Sequence, residues 1–499
     1  MDFLRKRLGQ LPASRYWASS LLLITILSAL LVLFFRAWTI TLYDAEIGGY
    51  EYEIIFEVQK ILTTGSVYSD PGAPPYHFTQ KTPVYQYLIA IICSFDKAYF
   101  LDDPIRLFRL NRIVSLLLSA GAAIFFFFLL KKRFEIGTGT ALIGALLCFG
   151  SFGQHYYGRM DGLYVLIFLL LLLVALSVRM PGFLKAFSLA LLTSLAVFTK
   201  QSGVLFIPIV ISLLAIMEAK PVKTIIRYLA FGAAMAALLW IFWAHSNLDV
   251  LYKNLVLGLS LGKSWGFLSR VLLSESFGPL FLFGIGSIVL LVKDRSELAR
   301  VLVVLLFITL LMSLYLLRNK GAGINYITEF RLAVILSLAY ILEKANWGNR
   351  IIREWAFALF VLHLSFVNML YLFSMRSAGQ WQNDKEAYRQ QALVSGYISE
   401  NISEGEYVYW IGEESFYGNR LFRNIIFPVK VTPCMIIRNN PETIDFSLFL
   451  EQMNNGSIRY LISEQGNRAL KDNCFGQAFH NYEKRKGFGR YQVWEWRGE

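Results

Sequence analysis

Long apolar runs broken by short polar stretches dominate the chain, and runs of about 16 to 22 apolar residues are long enough to cross about 30 Å of hydrocarbon as helices. About eleven are expected, from Tyr16 to Phe35, Leu110 to Leu130, Gly137 to Gly153, Gly162 to Val178, Leu184 to Thr199 and Val204 to Met217, then Ile226 to Ala244, Gly278 to Val292, Arg300 to Leu317, Ile327 to Leu342 and Trp355 to Phe373. A shorter run, Pro83 to Phe95, is followed by Asp96, Asp102 and Asp103. Its length and acidic flank predict a helix lying along the membrane rather than through it.

From about Gly379 the pattern becomes that of a soluble domain. Gln382 to Asn401 predicts a helix, Tyr407 to Gly412 a strand, Phe446 to Met453 a short helix, Ile458 to Ser463 a strand and Tyr491 to Trp496 a last strand. The expected fold class is a polytopic α-helical membrane protein with a long first loop, Trp38 to Arg109, and a small C-terminal α/β domain. The division falls between residues 1–378 and 379–499.

Composition agrees: of 499 residues 56% are hydrophobic and only 17% charged, more apolar surface than a soluble core can hide. The net charge of +13 is spread in clusters between apolar runs, which suits the positive-inside rule and argues against nucleic-acid binding. Arg5, Lys6, Arg7 and Arg15 precede the first run, so the N-terminus is expected in the cytosol and the first helix is read as a retained signal anchor. Alternation then puts Lys131-Lys132-Arg133, Lys220 to Arg227, Lys293 to Arg300 and Lys344 to Arg353 inside, and the C-terminal domain outside the inner (plasma) membrane. Cys434 and Cys474 would lie in that outer domain, where they either pair or remain buried thiols. Cys93 and Cys148 read as apolar packing.

Membrane insertion does not explain the polar residues on the outer side. Asp44 and Glu46 open the first loop, and ionisable groups beside hydrocarbon usually mark a site. Lys81, Arg159, Lys200, Arg318, Lys320 and Arg331 lie at outer helix ends, with His77, His155, Asp161, Asn325 and Glu329 in the outer loops. Carboxylates that take a proton from an attacking hydroxyl, beside cations that hold a phosphate, suit group transfer from a lipid-phosphate donor. Asp44 and Glu46 have a structural alternative, as caps of the helix that follows. Glu51, Glu53 and Glu57 are expected on the wet face of that helix, and His77 and His155 lack ligand spacing.

Stretches in four regions of the chain carry a family resemblance. Asp44-Ala45-Glu46 followed by Thr63-Thr64-Gly65-Ser66-Val67-Tyr68 and Lys81-Thr82-Pro83-Val84-Tyr85, then Gly158-Arg159-Met160-Asp161-Gly162, Phe198-Thr199-Lys200-Gln201-Ser202-Gly203 and Lys320-Gly321-Ala322-Gly323-Ile324-Asn325-Tyr326, resemble the GT-C integral membrane glycosyltransferases. The similarity is greatest to the protein O-mannosyltransferase and aminoarabinose transferase branch. It implies a polyprenyl-phosphate sugar donor and a lipid, glycan or protein acceptor. It further implies Asp44 or Glu46 as base, and Asp161 as its support or, with them, a ligand of a divalent metal ion. Lys81, Arg159 and Lys200 would be phosphate ligands, and Tyr85, Asn325, Tyr326 and Glu329 would line the cavity. Ala45 separates two acids that are adjacent in relatives, and Lys-Thr-Pro stands where some have Lys-Pro-Pro. A transporter or flippase of a lipid-linked sugar is the alternative; it calls for repeated halves or broken helices, and no internal repeat is evident.

Overall fold

The computed structural model describes residues 13–42, 51–152, 158–243, 248–259, 263–274, 277–319, 323–344, 350–374, 378–403, 405–411, 424–426, 445–464 and 476–498. Asp44, Glu46, His155, Lys320, Cys434 and Cys474 lie outside them. A long helix, α1 (Ala13–Leu42), leads into the first loop, which forms α2 (Glu51–Thr64), an irregular stretch, α3 (Val84–Cys93) and α4 (Lys97–Asp102). At ten residues α3 is too short to span a bilayer, as its flanks predicted.

Next comes α5 (Pro104–Lys132), whose start is set by local chemistry: Asp103 accepts from the Ile105 amide at 3.0 Å, and Pro104 occupies the first turn. The bundle continues with α6 (Thr138–Ser151), α7 (Asp161–Ala175), α8 (Gly182–Thr199), α9 (Phe206–Met217) and α10 (Pro221–Trp243). Two short helices, α11 (Leu248–Leu255) and α12 (Trp265–Leu272), precede α13 (Gly278–Leu291), α14 (Glu297–Leu316), α15 (Thr328–Glu343) and α16 (Arg350–Ser374).

Among the described residues, 7 helical segments are long and apolar enough to cross a membrane, within α1, α5, α8, α10 and α14, over Ile324–Glu343, and within α16. Shorter apolar segments, Thr138–Ser151, Asp161–Ala175, Gln201–Met217 and Gly278–Leu291, fall on the remaining expected runs. Burial separates centre from rim: the Ile324–Glu343 segment is 83% buried and Pro221–Ile241 only 11%. Thus α15 is the hub of the bundle and α10 presents its apolar surface outward, as a lipid-facing helix does.

The C-terminal part consists of α17 (Ala378–Asn401), β1 (Tyr407–Ile411), α18 (Ser447–Asn454), β2 (Ile458–Glu464), β3 (Tyr482–Phe488) and β4 (Tyr491–Trp496), with strand order β1-β2-β4-β3. The first pair is parallel and the other two antiparallel. Strand β3 was not expected from the sequence. Its Tyr-Glu-Lys-Arg-Lys-Gly-Phe run has no apolar alternation because it is the edge strand, and charge there discourages pairing with other chains.

Alternating side chains send β1 into two cores. Tyr409 and Ile411 pack with Phe446, Phe449 and Met453, whereas Val408 and Trp410 pack with Val394 and Ile398 of α17. The first loop completes both: Tyr76 and Phe78 enter the former and Phe56 the latter. The Tyr76 amide also donates to Ile426 O at 2.8 Å, and its hydroxyl to Gln452 Oε1 at 3.2 Å. The sheet therefore covers the first loop.

That cover corrects the expectation for α2. Glu51, Glu53 and Glu57 do not lie on a wet face; they are 0%, 3% and 0% exposed. Helix α2 packs against α3 and α5 and contributes Phe56 to the sheet, so no side of it faces bulk water over most of its length. Buried carboxylates require partners, and these define the site.

Candidate functional site

Glu51 anchors the first group. Its carboxylate takes a two-pronged contact from Arg112 on α5, Nε to Oε1 at 2.9 Å and Nη2 to Oε2 at 2.7 Å, and Oε1 also accepts from the Gly158 amide at 3.0 Å. Arg112 further donates to Thr39 O at 2.8 Å, which ties α1 into the clamp. Asn111 donates to Gly158 O at 2.7 Å and accepts from the Tyr85 hydroxyl at 2.7 Å. The peptide of Gly158 is thus held on both sides, and a Cβ there would come within 2.5 Å of Asn111 Nδ2 and 2.6 Å of Glu51 Oε1. Only glycine fits. Tyr85, expected to bind substrate, is fully buried and donates to Asn111.

The rigid Gly158 peptide fixes the residue that follows it, Arg159. Asp161, two further on, opens α7 and forms the second group. Lys200 Nζ lies 2.9 Å from Asp161 Oδ1, and Asn325 Nδ2 lies 3.3 Å from the same oxygen. The ammonium also sits 4.7 Å from the centre of the Tyr326 ring and 5.2 Å from that of Tyr164. Ring faces attract cations, so Lys200 is held by one carboxylate and two aromatic faces. Glu329 is buried on the first turn of α15 and interacts with the Tyr164 hydroxyl. The hairpin bearing Lys200 is tight: the Gly203 amide donates to Lys200 O at 2.8 Å, and a Cβ at Gly203 would come within 2.5 Å of the Ala196 backbone.

Lys81 belongs to a third group. Its Nζ lies 2.5 Å from Glu53 Oε2. Burial works against its charge, but Glu53 and then Glu57 outweigh that and raise its pKa, with Arg159 opposing them. Arg159 also acts on Asp161, so its charge is felt by both the second and the third group. A direct link comes from Gln201 in the Lys200 hairpin, which donates to Gln80 O, one residue before Lys81.

Around Lys81 the chemistry is unusual. Burial, then the charge of Glu53, pushes the Glu57 carboxyl up to about 8, while Gln86 Nε2 donates to its Oε2 at 2.7 Å. Burial brings Lys60 down to about 8; its ammonium donates to Val67 O at 2.9 Å and Ser69 Oγ at 2.6 Å. His77 is held well below its usual range by burial and then by Lys60 and Lys81, so it is neutral. Among the described residues, Glu53, Glu57 and His77 form a group with ligand-type atoms within 4.8 Å of one another. This differs from the expected metal set of Asp44, Glu46 and Asp161: Asp161 Oδ1 is engaged by Lys200 and Asn325.

The structure therefore brings Asp161, Lys200, Asn325, Tyr326 and Glu329 together, with Arg159 close enough to act on both Asp161 and Lys81. Sequence reasoning missed Arg112, Glu53, Glu57 and Gln86. Arg112 carried a signal, because a cation inside an apolar run needs an intramembrane partner.

Helices enclosing a polar cluster at their ends, beneath a first loop covered by a sheet, define the class as a polytopic helical membrane protein. The particular likeness is to ArnT from Cupriavidus metallidurans bound to undecaprenyl phosphate: TM-score 0.58, 12% identity, covering 95% of this chain and 97% of that one. The apo state of ArnT from the same organism gives a TM-score of 0.56 at 11% identity, covering 96% of this chain and 98% of that one. No protein-family model matches the chain, and a search of curated proteins finds no relative.

Proposed function

We propose that the chain is a membrane glycosyltransferase that moves a sugar from a polyprenyl-phosphate donor to an acceptor hydroxyl at the outer face of the inner membrane. In this reading residues 1–378 are the transferase and 379–499 a cover on the extracytoplasmic side, with the N-terminus in the cytosol. The observation that carries it is the pair of lysines, Lys81 and Lys200, on adjoining loops, each held by a buried carboxylate, with the charge of Arg159 felt at both Lys81 and Asp161. Supporting it, the fold is shared with ArnT, whose structure holds undecaprenyl phosphate.

An ammonium has three donors, and Asp161 Oδ1 is the hydrogen-bond acceptor recorded for Lys200. Asp161 thus orients Lys200 and leaves donors for a phosphate oxygen, and Glu53 holds Lys81. Three cations at a phosphate favour the leaving group, because negative charge grows on its oxygen as the glycosidic bond breaks. The acceptor oxygen attacks the anomeric carbon from the opposite side, the bond to phosphate breaks with its electron pair going to the phosphate oxygen, and configuration inverts. Asp44 or Glu46 takes the hydroxyl proton as general base.

The test replaces Asp44→Asn, Glu46→Gln and Asp161→Asn singly, in protein that still folds, and measures transfer with a matched donor and acceptor. At least one variant is expected to lose activity by 100-fold or more, about the lower bound for a lost general base. Full activity in all three would end the mechanism.

A further inference from the structure

From the arrangement around α2 we infer that Glu53, Glu57 and His77 bind one divalent transition-metal ion, of the Zn2+ or Mn2+ kind, which fastens the Lys81 segment to α2. The three offer ligand-type atoms within 4.8 Å of one another, and all three side chains are buried. Ligands on opposite sides of an ion stand about twice a metal–ligand distance apart, roughly 4 to 5 Å, so one ion reaches all of them.

Two buried atoms of these residues have no hydrogen-bond partner: Glu57 Oε1 and His77 Nε2. Buried polar atoms left in that state are rare and call for a ligand. The tautomer of His77 follows from its neighbour. Thr79 Oγ1 gives its single proton to Val67 O at 3.0 Å, so toward His77 Nδ1, 3.3 Å away, it can only accept. The ring proton is therefore on Nδ1, and Nε2 carries its lone pair into the cluster. Metal-bound histidines are oriented in this way by a partner on the other nitrogen.

The carboxylates are likewise prepared. Gln86 donates to Glu57 Oε2 at 2.7 Å and leaves Oε1 to the ion. Glu53 gives Oε2 to Lys81 and has a second oxygen to offer. One imidazole with two carboxylates suits zinc or manganese; magnesium and calcium prefer oxygen throughout. His77 is four residues before Lys81 and α2 carries both acids, so the ion closes the loop between them. The site does not depend on the transfer reaction.

The experiment uses the full chain in detergent with any affinity tag removed. Metal content is measured by inductively coupled plasma mass spectrometry, and Tm is followed after chelation and on adding back Zn2+, Mn2+, Mg2+ or Ca2+. About one zinc or manganese per chain and a rise in Tm on readdition are expected, because an ion that binds the folded state stabilises it. Glu57→Gln and His77→Gln are each expected to lower the content at least tenfold and abolish the rise. A wild-type content below about a tenth of an ion per chain with no change in Tm on readdition overturns the site, as does an unchanged content in both variants. If neither variant folds, the two wild-type readings decide. Transfer activity does not enter the result, so failure here leaves the proposed function standing.

Discussion

Single side chains carry most of the chemistry. Glu57 is the clearest case, since burial and Glu53 hold its carboxyl at about 8 against an ordinary 4.5. In chelator-treated protein the folded chain keeps a proton between these two values that the unfolded chain has released. Stability from this group therefore falls as pH rises through that window and levels off above about 8. Lys60 acts in the opposite sense: its pKa is lowered from 10.5 to about 8, so its contribution recovers as pH rises from 8 towards 10.5. Glu57→Gln removes the falling limb. The Tm of the variant minus that of the wild type, both metal-free, is expected to grow between pH 5 and pH 8; parallel curves would contradict the buried environment. Residue identity alone did not give this away. Glu51, Glu53 and Glu57 look like a solvated stripe, and what buries them comes from α3, α5 and a sheet formed by residues far along the chain.

At the level of elements, polar clamps add to a shared apolar core in fixing how the first loop meets the bundle. Glu51 on α2 joins α5 through Arg112 and the loop before α7 through Gly158. Removing one partner of a buried ion pair strands the other, at a cost of about 3 to 5 kcal/mol. Arg112→Met should lower Tm sharply, and adding Glu51→Gln should restore part of the loss; a single variant as stable as the wild type would show the clamp to be idle. The apolar runs revealed the long helices of the bundle, because length and hydropathy report a span directly, whereas the short α4, α11 and α12 were not foreseen. The short α3 was legible too, from its length and the aspartates after it. Strand β3 was not, since an edge strand made of charges shows no alternation, and the pairing of α2 with α5 depends on contacts 61 residues apart.

The whole molecule joins a bundle centred on α15 to a sheet that covers the first loop, with the polar groups collected between them. Its fold is similar to that of ArnT, a likeness that covers 95% of the chain. The motifs identified Lys81, Arg159, Asp161, Lys200 and Asn325, and the Gln201–Gln80 contact joins two of the loops that carry them, 121 residues apart in the chain. The carboxylates beneath Lys81 fell outside the motifs and emerged only in three dimensions. The central claim is that Lys81 and Lys200 hold the phosphate of a polyprenyl-phosphate lipid. Native mass spectrometry of the intact chain, titrated with undecaprenyl phosphate and with undecaprenol, measures this without knowledge of the sugar. The account predicts one bound phosphate lipid per chain, at least tenfold preference over the alcohol, and loss of that preference in Lys81→Ala and Lys200→Ala. Equal binding of the two lipids, or an undiminished preference in both variants, would contradict it.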